Sequence, residues 1–184
     1  PFRVLISCII SLRTKDDVTR AASKRLFTLA GTPEAMARLK PVEVEKAIYP
    51  AGFYRTKAKT IIDISRELVE RRSSKLPDTM DGLLELKGVG RKTANLVLTL
   101  GFGKPGICVD THVHRISNRW GLVKTKTPEE TEYALREVLP RRYWIPINDL
   151  LVAYGQNVCG PVSPFCLSCA IARWCERAGV KRSR

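Results

Sequence analysis

Apolar residues recur along the chain at helical spacing, and polar breaks cut them into short segments. The almost wholly apolar stretch 2–12 (Phe2, Val4, Leu5, Ile6, Ile9, Ile10) reads as a buried helix. After the polar break Arg13-Thr14-Lys15-Asp16, one face of a second helix is marked by Val18, Ala21, Ala22, Leu26 and Leu29, reaching about residue 30. Thr32-Pro33 offers an N-cap followed by proline at the first helical position, which predicts a short helix over 34–39. Pro41 repeats the signal for 42–48, and Pro50-Ala51-Gly52 is a turn. Residues 54–72 form a long basic helix with Ala58, Ile61, Ile62, Ile64, Leu68 and Val69 inward. Asp78 can cap a short helix over 80–86, and a helix over 91–100 stops at Gly101-Phe102-Gly103-Lys104-Pro105. Asp110 can cap a helix running to about 120, and Thr127-Pro128-Glu129-Glu130 is a capping box that starts another, to about 138. A last apolar helix spans 143–158, kinked or started at Pro146. No run alternates with the period of a strand, so the fold class is all-α.

Between two of these segments stands Leu86-Lys87-Gly88-Val89-Gly90-Arg91-Lys92-Thr93-Ala94-Asn95. Glycine permits a hairpin with φ > 0 and keeps side chains away from the backbone. The amides of Gly88, Gly90 and the residues after them would open a helix, where the first N–H groups lack internal partners and a phosphate can bind. A lone G-x-G pair is more often an ordinary two-helix corner.

Charge sharpens the picture. The 184 residues carry a net charge of +14 with basic and acidic residues intermixed, as in a folded basic protein. An anionic polymer is the expected partner, DNA or RNA first. No apolar run is long enough to span a membrane and no helix has the one-sided basic face of a membrane-surface protein, so no membrane partner is expected. The chain opens at Pro1 without Met, so a fragment is expected. Cys8 and Cys108 lie in apolar surroundings and read as core residues, whereas Cys159, Cys166, Cys169 and Cys175 cluster as C-x6-C-x2-C-x5-C. Without secretory features such a cluster suggests metal before disulfides, and zinc and iron–sulfur fit the spacing equally. Asp110-x-His112-x-His114 is not expected to bind metal, because positions two apart do not share a helix face.

Lys92 sits in the first turn after the hairpin, and Asp110 begins the next helix. The ordinary readings are a solvated lysine and an N-cap aspartate. Paired, they could be chemistry: an amine attacking an electrophilic carbon, and a carboxylate that deprotonates it and stabilises a cationic sugar. Taken together in this order, the hairpin 86–95, Val109-Asp110-Thr111-His112-Val113-His114-Arg115 and the four-cysteine spacing resemble the endonuclease III family of helix-hairpin-helix DNA glycosylases, over essentially the whole chain. The resemblance implies the helix-hairpin-helix DNA glycosylase fold. A six-helix barrel domain would occupy mainly 1–107, with the hairpin unit at about 79–102. A second helical domain over 108–184 would hold a [4Fe–4S] cluster on Cys159, Cys166, Cys169 and Cys175, with DNA across the cleft.

The resemblance further implies that Lys92 is the catalytic lysine and Asp110 the catalytic aspartate of a bifunctional glycosylase and AP lyase. Such an enzyme removes oxidised pyrimidines through a Schiff base and cuts the strand by β-elimination, after flipping the nucleotide out of the stack. Its partner is double-stranded DNA with a damaged base or abasic site, bound as a monomer inside the cell: in the cytoplasm or nucleoid, or in the nucleus or mitochondrion of a eukaryote. Expected DNA contacts are Lys87, Gly88, Val89, Gly90, Arg91, Arg13, Phe53 and His112. Arg13 stands where the family commonly has a void-filling glutamine, and Phe53 where it has a leucine wedge. His112 is read as supporting the turn at Asp110 or a phosphate near it. The loop 160–165 has no Lys or Arg and is not expected to touch DNA, and the family's N-terminal helix has no counterpart in these residues. Three alternatives stand beside this reading: a catalytically silent helix-hairpin-helix module, a monofunctional mismatch glycosylase and a zinc-stabilised nucleic-acid binder.

Overall fold

The computed structural model describes residues 1–184, and all its regular structure is helical, with no strand. It divides into two compact units, Pro1–Lys104 and Pro105–Arg184.

The first unit is built on α1 (Phe2–Ser11), whose Leu5, Ile6, Ile9 and Ile10 are almost wholly buried. Each such side chain contributes about 1.5–3 kcal/mol relative to exposure. Around α1 pack α2 (Asp16–Leu29), α5 (Tyr54–Arg72) and α7 (Arg91–Leu96), while α3 (Pro33–Ala37) and α4 (Pro41–Ile48) pack on α5. The short α6 (Met80–Leu84) precedes the hairpin. Thr32 Oγ1 accepts from the Ala35 amide and Thr79 Oγ1 from the Gly82 amide, so threonines cap α3 and α6. The cap of α6 is therefore Thr79, one residue beyond the aspartate that the sequence suggested.

Other boundaries differ from the sequence reading: α3 ends at Ala37 rather than 39, and α6 at Leu84 rather than 86. The helix expected over 91–100 is α-helical only to Leu96 and continues as a π-helical turn, Val97–Gly101. From within this turn, Thr99 Oγ1 donates to the Asn95 carbonyl at 2.8 Å. The last apolar helix starts at Pro146, which ends the ambiguity left by the proline.

The second unit has its own core: Val113 and Ile116 of α8 (Thr111–Trp120), Leu135 of α9 (Pro128–Val138), Ile147 and Leu151 of α10 (Pro146–Asn157), with Ile107 and Val109. The capping box at α9 is formed with its return arm shifted. Thr127 Oγ1 accepts from the Glu130 amide, but Glu130 Oε2 accepts from the amide of Lys126 at 2.8 Å. Beyond α10 the chain is a loop with one 3₁₀ turn, Ala172–Trp174. No helix is long and apolar enough to cross a membrane.

Candidate functional site

The hairpin closes with the Val89 amide donating to the Leu86 carbonyl at 3.0 Å. Gly88 lies at φ +90, and a Cβ there would stand 2.8 Å from Thr60 Cγ2 on α5, so glycine is required both by conformation and by packing. Gly90, the N-cap of α7, has open space where a Cβ would be. Val89 is buried beneath the turn while Lys87, Gly88 and Gly90 are exposed. The hairpin thus anchors itself through valine and offers its glycine backbone outward. Lys92 follows in the first turn of α7, and its charge reaches the buried Cys8 thiol of α1. Burial pushes that thiol up to about 11, and Lys92 only partly offsets the effect.

Arg13 and Phe53 lie in the same unit, and the fold brings them together with the hairpin. They line one open depression with Gly88 and Thr60. The Arg13 guanidinium stands 5.5 Å from the centre of the Phe53 ring, which is 64% exposed. An aromatic of that size so open to solvent is not packing in the core, the ordinary role of a phenylalanine.

In the second unit, Asp110 is the N-cap of α8. Its Oδ1 accepts from the amides of His112 at 2.8 Å and Val113 at 3.0 Å. The segment leading to it is fixed by buried Asn148 of α10, whose Nδ2 donates to the Cys108 carbonyl at 3.1 Å. His112 and His114 engage different partners. Arg115 Nη2 donates to His112 Nδ1 at 3.1 Å, while His114 Nδ1 and Thr131 Oγ1 lie 2.6 Å apart. The His112 ring rests on Gly155, where a Cβ would stand 2.3 Å from Nδ1.

Arg115 Nη2 also donates to the Cys159 carbonyl at 2.9 Å, which ties His112 to the cysteine loop. Burial, with neighbouring Arg119, lowers the Arg115 pKa. Arg119, itself buried, donates to the Gly160 carbonyl at 2.6 Å and the Pro161 carbonyl at 2.7 Å, with Nη1 3.5 Å from Cys159 Sγ. Cys159, Cys166, Cys169 and Cys175 line one small cavity. The Tyr154 hydroxyl lies 2.7 Å from Cys169 Sγ, and the Arg177 amide donates to Cys175 Sγ at 3.4 Å. Burial raises the Tyr154 pKa, and its bond to Cys169 raises it further. The loop 160–165 has no basic residue of its own, but the fold lays Arg184 on it: Nε donates to the Ser163 carbonyl and the guanidinium stacks on Phe165 at 4.5 Å.

Comparison with known proteins now bears on these features. The model of the HhH-GPD superfamily of base excision DNA repair proteins matches residues 6–141. Endonuclease III of Thermotoga maritima is 52% identical over 176 residues, covering 96% of this chain and 83% of that protein. The chain belongs to the endonuclease III family. Endonuclease III homolog 1, chloroplastic, of Arabidopsis thaliana is 41% identical over 186 residues; there the chain spans 96% of itself and 49% of the relative. A solved endonuclease III–DNA covalent intermediate, trapped as an estranged-adenine complex, matches with a TM-score of 0.86 at 34% identity, covering 95% of this chain and 82% of that one.

Within this endonuclease III family member, sequence reasoning passed over the residues that hold the site in shape. Lys57, Asn148, Arg119 and Tyr154 belong to none of the motifs, and Arg115 enters only as the end of one. Two of them left a signal: Lys57 and Arg119 are cations on the inward stripe of their helices, beside Ile61 and Ile116. A charge on an apolar stripe is costly without partners, so it marks a place where carbonyls wait.

Proposed function

We propose that this chain is a bifunctional DNA glycosylase and AP lyase that excises oxidised pyrimidines from duplex DNA, with Lys92 as nucleophile and Asp110 as its base. The observation that carries the reading is membership of the endonuclease III family joined to a lysine at position 92, in the first turn after the hairpin. A relative trapped as a covalent intermediate with DNA supports an enzyme that bonds covalently to its substrate.

In the proposed reaction the Lys92 lone pair attacks C1′ as the glycosidic C–N bond breaks, and the base leaves with the bonding pair. Asp110 takes the proton from the amine and stabilises positive charge on the sugar. Ring opening gives a Schiff base, and loss of a C2′ proton then expels the 3′ phosphate. The outward backbone of Gly88 and Gly90 with Lys87 and Arg91 would hold the phosphates, while Arg13 and Phe53 would fill the duplex where the nucleotide has left. His112, committed to Arg115 and Gly155, would act by supporting the turn at Asp110 rather than by reaching DNA.

Cys159, Cys166, Cys169 and Cys175 would hold a [4Fe–4S] cluster. The fit rests on four thiols around one cavity, with Arg119 and the Arg177 amide directed at sulfur to balance thiolate charge. With every iron bound by cysteine, the cluster would supply cross-linking rather than catalysis. The partner would be duplex DNA carrying a damaged base or an abasic site, bound by a monomer.

Borohydride reduction in the presence of an abasic duplex should link the chain covalently to DNA. Lys92→Gln should abolish both the adduct and strand cleavage while DNA binding survives. An adduct that persists in Lys92→Gln would assign the nucleophile to another amine. Binding without any adduct or cut in the unaltered chain would mean a silent DNA-binding module.

A further inference from the structure

The turns that carry Arg13 and Phe53 are joined by a side chain for which the proposed chemistry has no use. Residues 11–14 form a type II β-turn. The Thr14 amide donates to the Ser11 carbonyl at 3.0 Å, with Leu12 at φ −54, ψ 116 and Arg13 at φ +52. Type II turns favour glycine at that third position, and an arginine there costs roughly 1–2 kcal/mol. Phe53 repeats the anomaly at φ +57, as the residue just before α5. Two adjacent non-glycine residues held left-handed, with exposed side chains, persist only where the surroundings over-determine them.

Lys57 provides those surroundings. It is 6% exposed, and its ammonium donates to the Ile10 carbonyl at 2.6 Å, the Leu12 carbonyl at 2.5 Å and Thr14 Oγ1 at 2.8 Å. All three of its protons are therefore committed, to two carbonyls at the end of α1 and a hydroxyl, with no carboxylate among them. Thr14 Oγ1 in turn accepts from the Gly52 amide at 3.0 Å, and the Lys57 amide donates to the Phe53 carbonyl at 3.0 Å. A Cβ on Gly52 would stand 2.5 Å from the Arg13 carbonyl oxygen, so the two turns touch backbone to backbone. Burial lowers the Lys57 pKa, which shows that the site holds the charged form at a cost.

We propose that Lys57 is a positioning residue whose buried ammonium locks the Arg13 turn to the Phe53 turn, so that the two side chains enter the duplex as one rigid wedge. The inference rests on the reading of Arg13 and Phe53 as the residues that fill the vacated stack. A pre-formed wedge loses little freedom on insertion, whereas two independent loops would have to be ordered as the base pair opens.

Lys57→Met keeps the stem and its burial and removes the three donated bonds. The test is the rate of borohydride trapping on one abasic strand, measured paired in a duplex and unpaired. The unpaired strand has no stack to fill, so it reports folding and the Lys92 chemistry alone. Lys57→Met should slow trapping on the duplex by about tenfold or more and on the single strand by less than about twofold. Thr14→Val cuts the tie to Gly52 and one of the three bonds of the lysine but leaves its two carbonyl partners, and should show a smaller loss of the same kind; if Lys57→Met does not fold, Thr14→Val carries the test. Equal losses on both substrates would make the ammonium a folding element only and overturn the inference. The double variant Arg13→Ala, Phe53→Ala separates the two ideas. If it leaves the duplex-to-single-strand ratio unchanged, the wedge reading itself fails. If it collapses the ratio while Lys57→Met and Thr14→Val do not, the wedge stands and the positioning role falls.

Discussion

Asp110 has a structural duty that can be separated by experiment from the chemical one proposed for it. Its Oδ1 accepts from two amides at the start of α8, a bond set that asparagine can largely reproduce through its own carbonyl. Asp110→Asn should therefore leave thermal stability nearly unchanged while slowing base release strongly, because the basic carboxylate is gone. Asp110→Ala should in addition cost about 1 kcal/mol of stability. A calorimetric scan beside a single-turnover excision assay distinguishes the two, and an Asp110→Asn chain with full excision rates would remove the aspartate from the chemistry. Cys8 gives a pH prediction. Its thiol is held near 11 in the fold against 9.0 ordinarily, so the unfolded chain ionises first as pH rises. The stabilisation is fully present below about 9, is lost as pH climbs to about 11, and changes by at most about 1.4 kcal/mol per pH unit. The stability difference between the native chain and Cys8→Ala, followed by denaturant titration from pH 8 to 11, should shrink across that window.

At the scale of the element, the hairpin separates a glycine needed by the fold from one proposed to serve the ligand. Gly88 combines φ +90 with a 2.8 Å approach to Thr60, so Gly88→Ala should destabilise the chain by roughly 1–3 kcal/mol. Gly90→Ala meets no neighbour within 4 Å and should fold normally, yet it puts a methyl group on the face offered to phosphate. Its affinity for undamaged duplex should fall while its melting temperature holds. Equal binding by Gly90→Ala and the native chain would place the phosphates elsewhere. The helices around the hairpin were legible because proline, threonine and apolar spacing act locally. The π turn at Val97–Gly101 was not, because apolar spacing reads alike for an α turn and a π turn.

For the whole molecule, a net charge of +14 should make phosphate neutralisation the main source of affinity for DNA. Binding to undamaged duplex should weaken with salt at a slope of about 0.9 logarithmic units per phosphate engaged, and Lys87→Ala or Arg91→Ala should each lower that slope. A salt-independent affinity would count against the DNA reading. The cluster prediction also belongs here, because the two units have separate cores. Metal analysis should find four irons per chain, and removing them should unfold Pro105–Arg184 at a lower temperature while the core of Pro1–Lys104 persists. One zinc and no iron would sink the cluster assignment.

The sequence by itself determined the all-α class, most helix starts and the endonuclease III resemblance. Each of these follows from residue type at short spacing: a proline after a threonine, two glycines around a valine, cysteines at fixed intervals. It could not determine which side chains hold those motifs in place, since such partners lie far apart along the chain. Lys57 reaches Ile10, Leu12 and Thr14 across more than forty residues, and Arg119 reaches Gly160 and Pro161 in the same way. Local pattern marked each only as a charge on an apolar stripe. Tertiary packing decided what that charge was for, because a buried cation is tolerable only where the fold has already gathered acceptors to meet it.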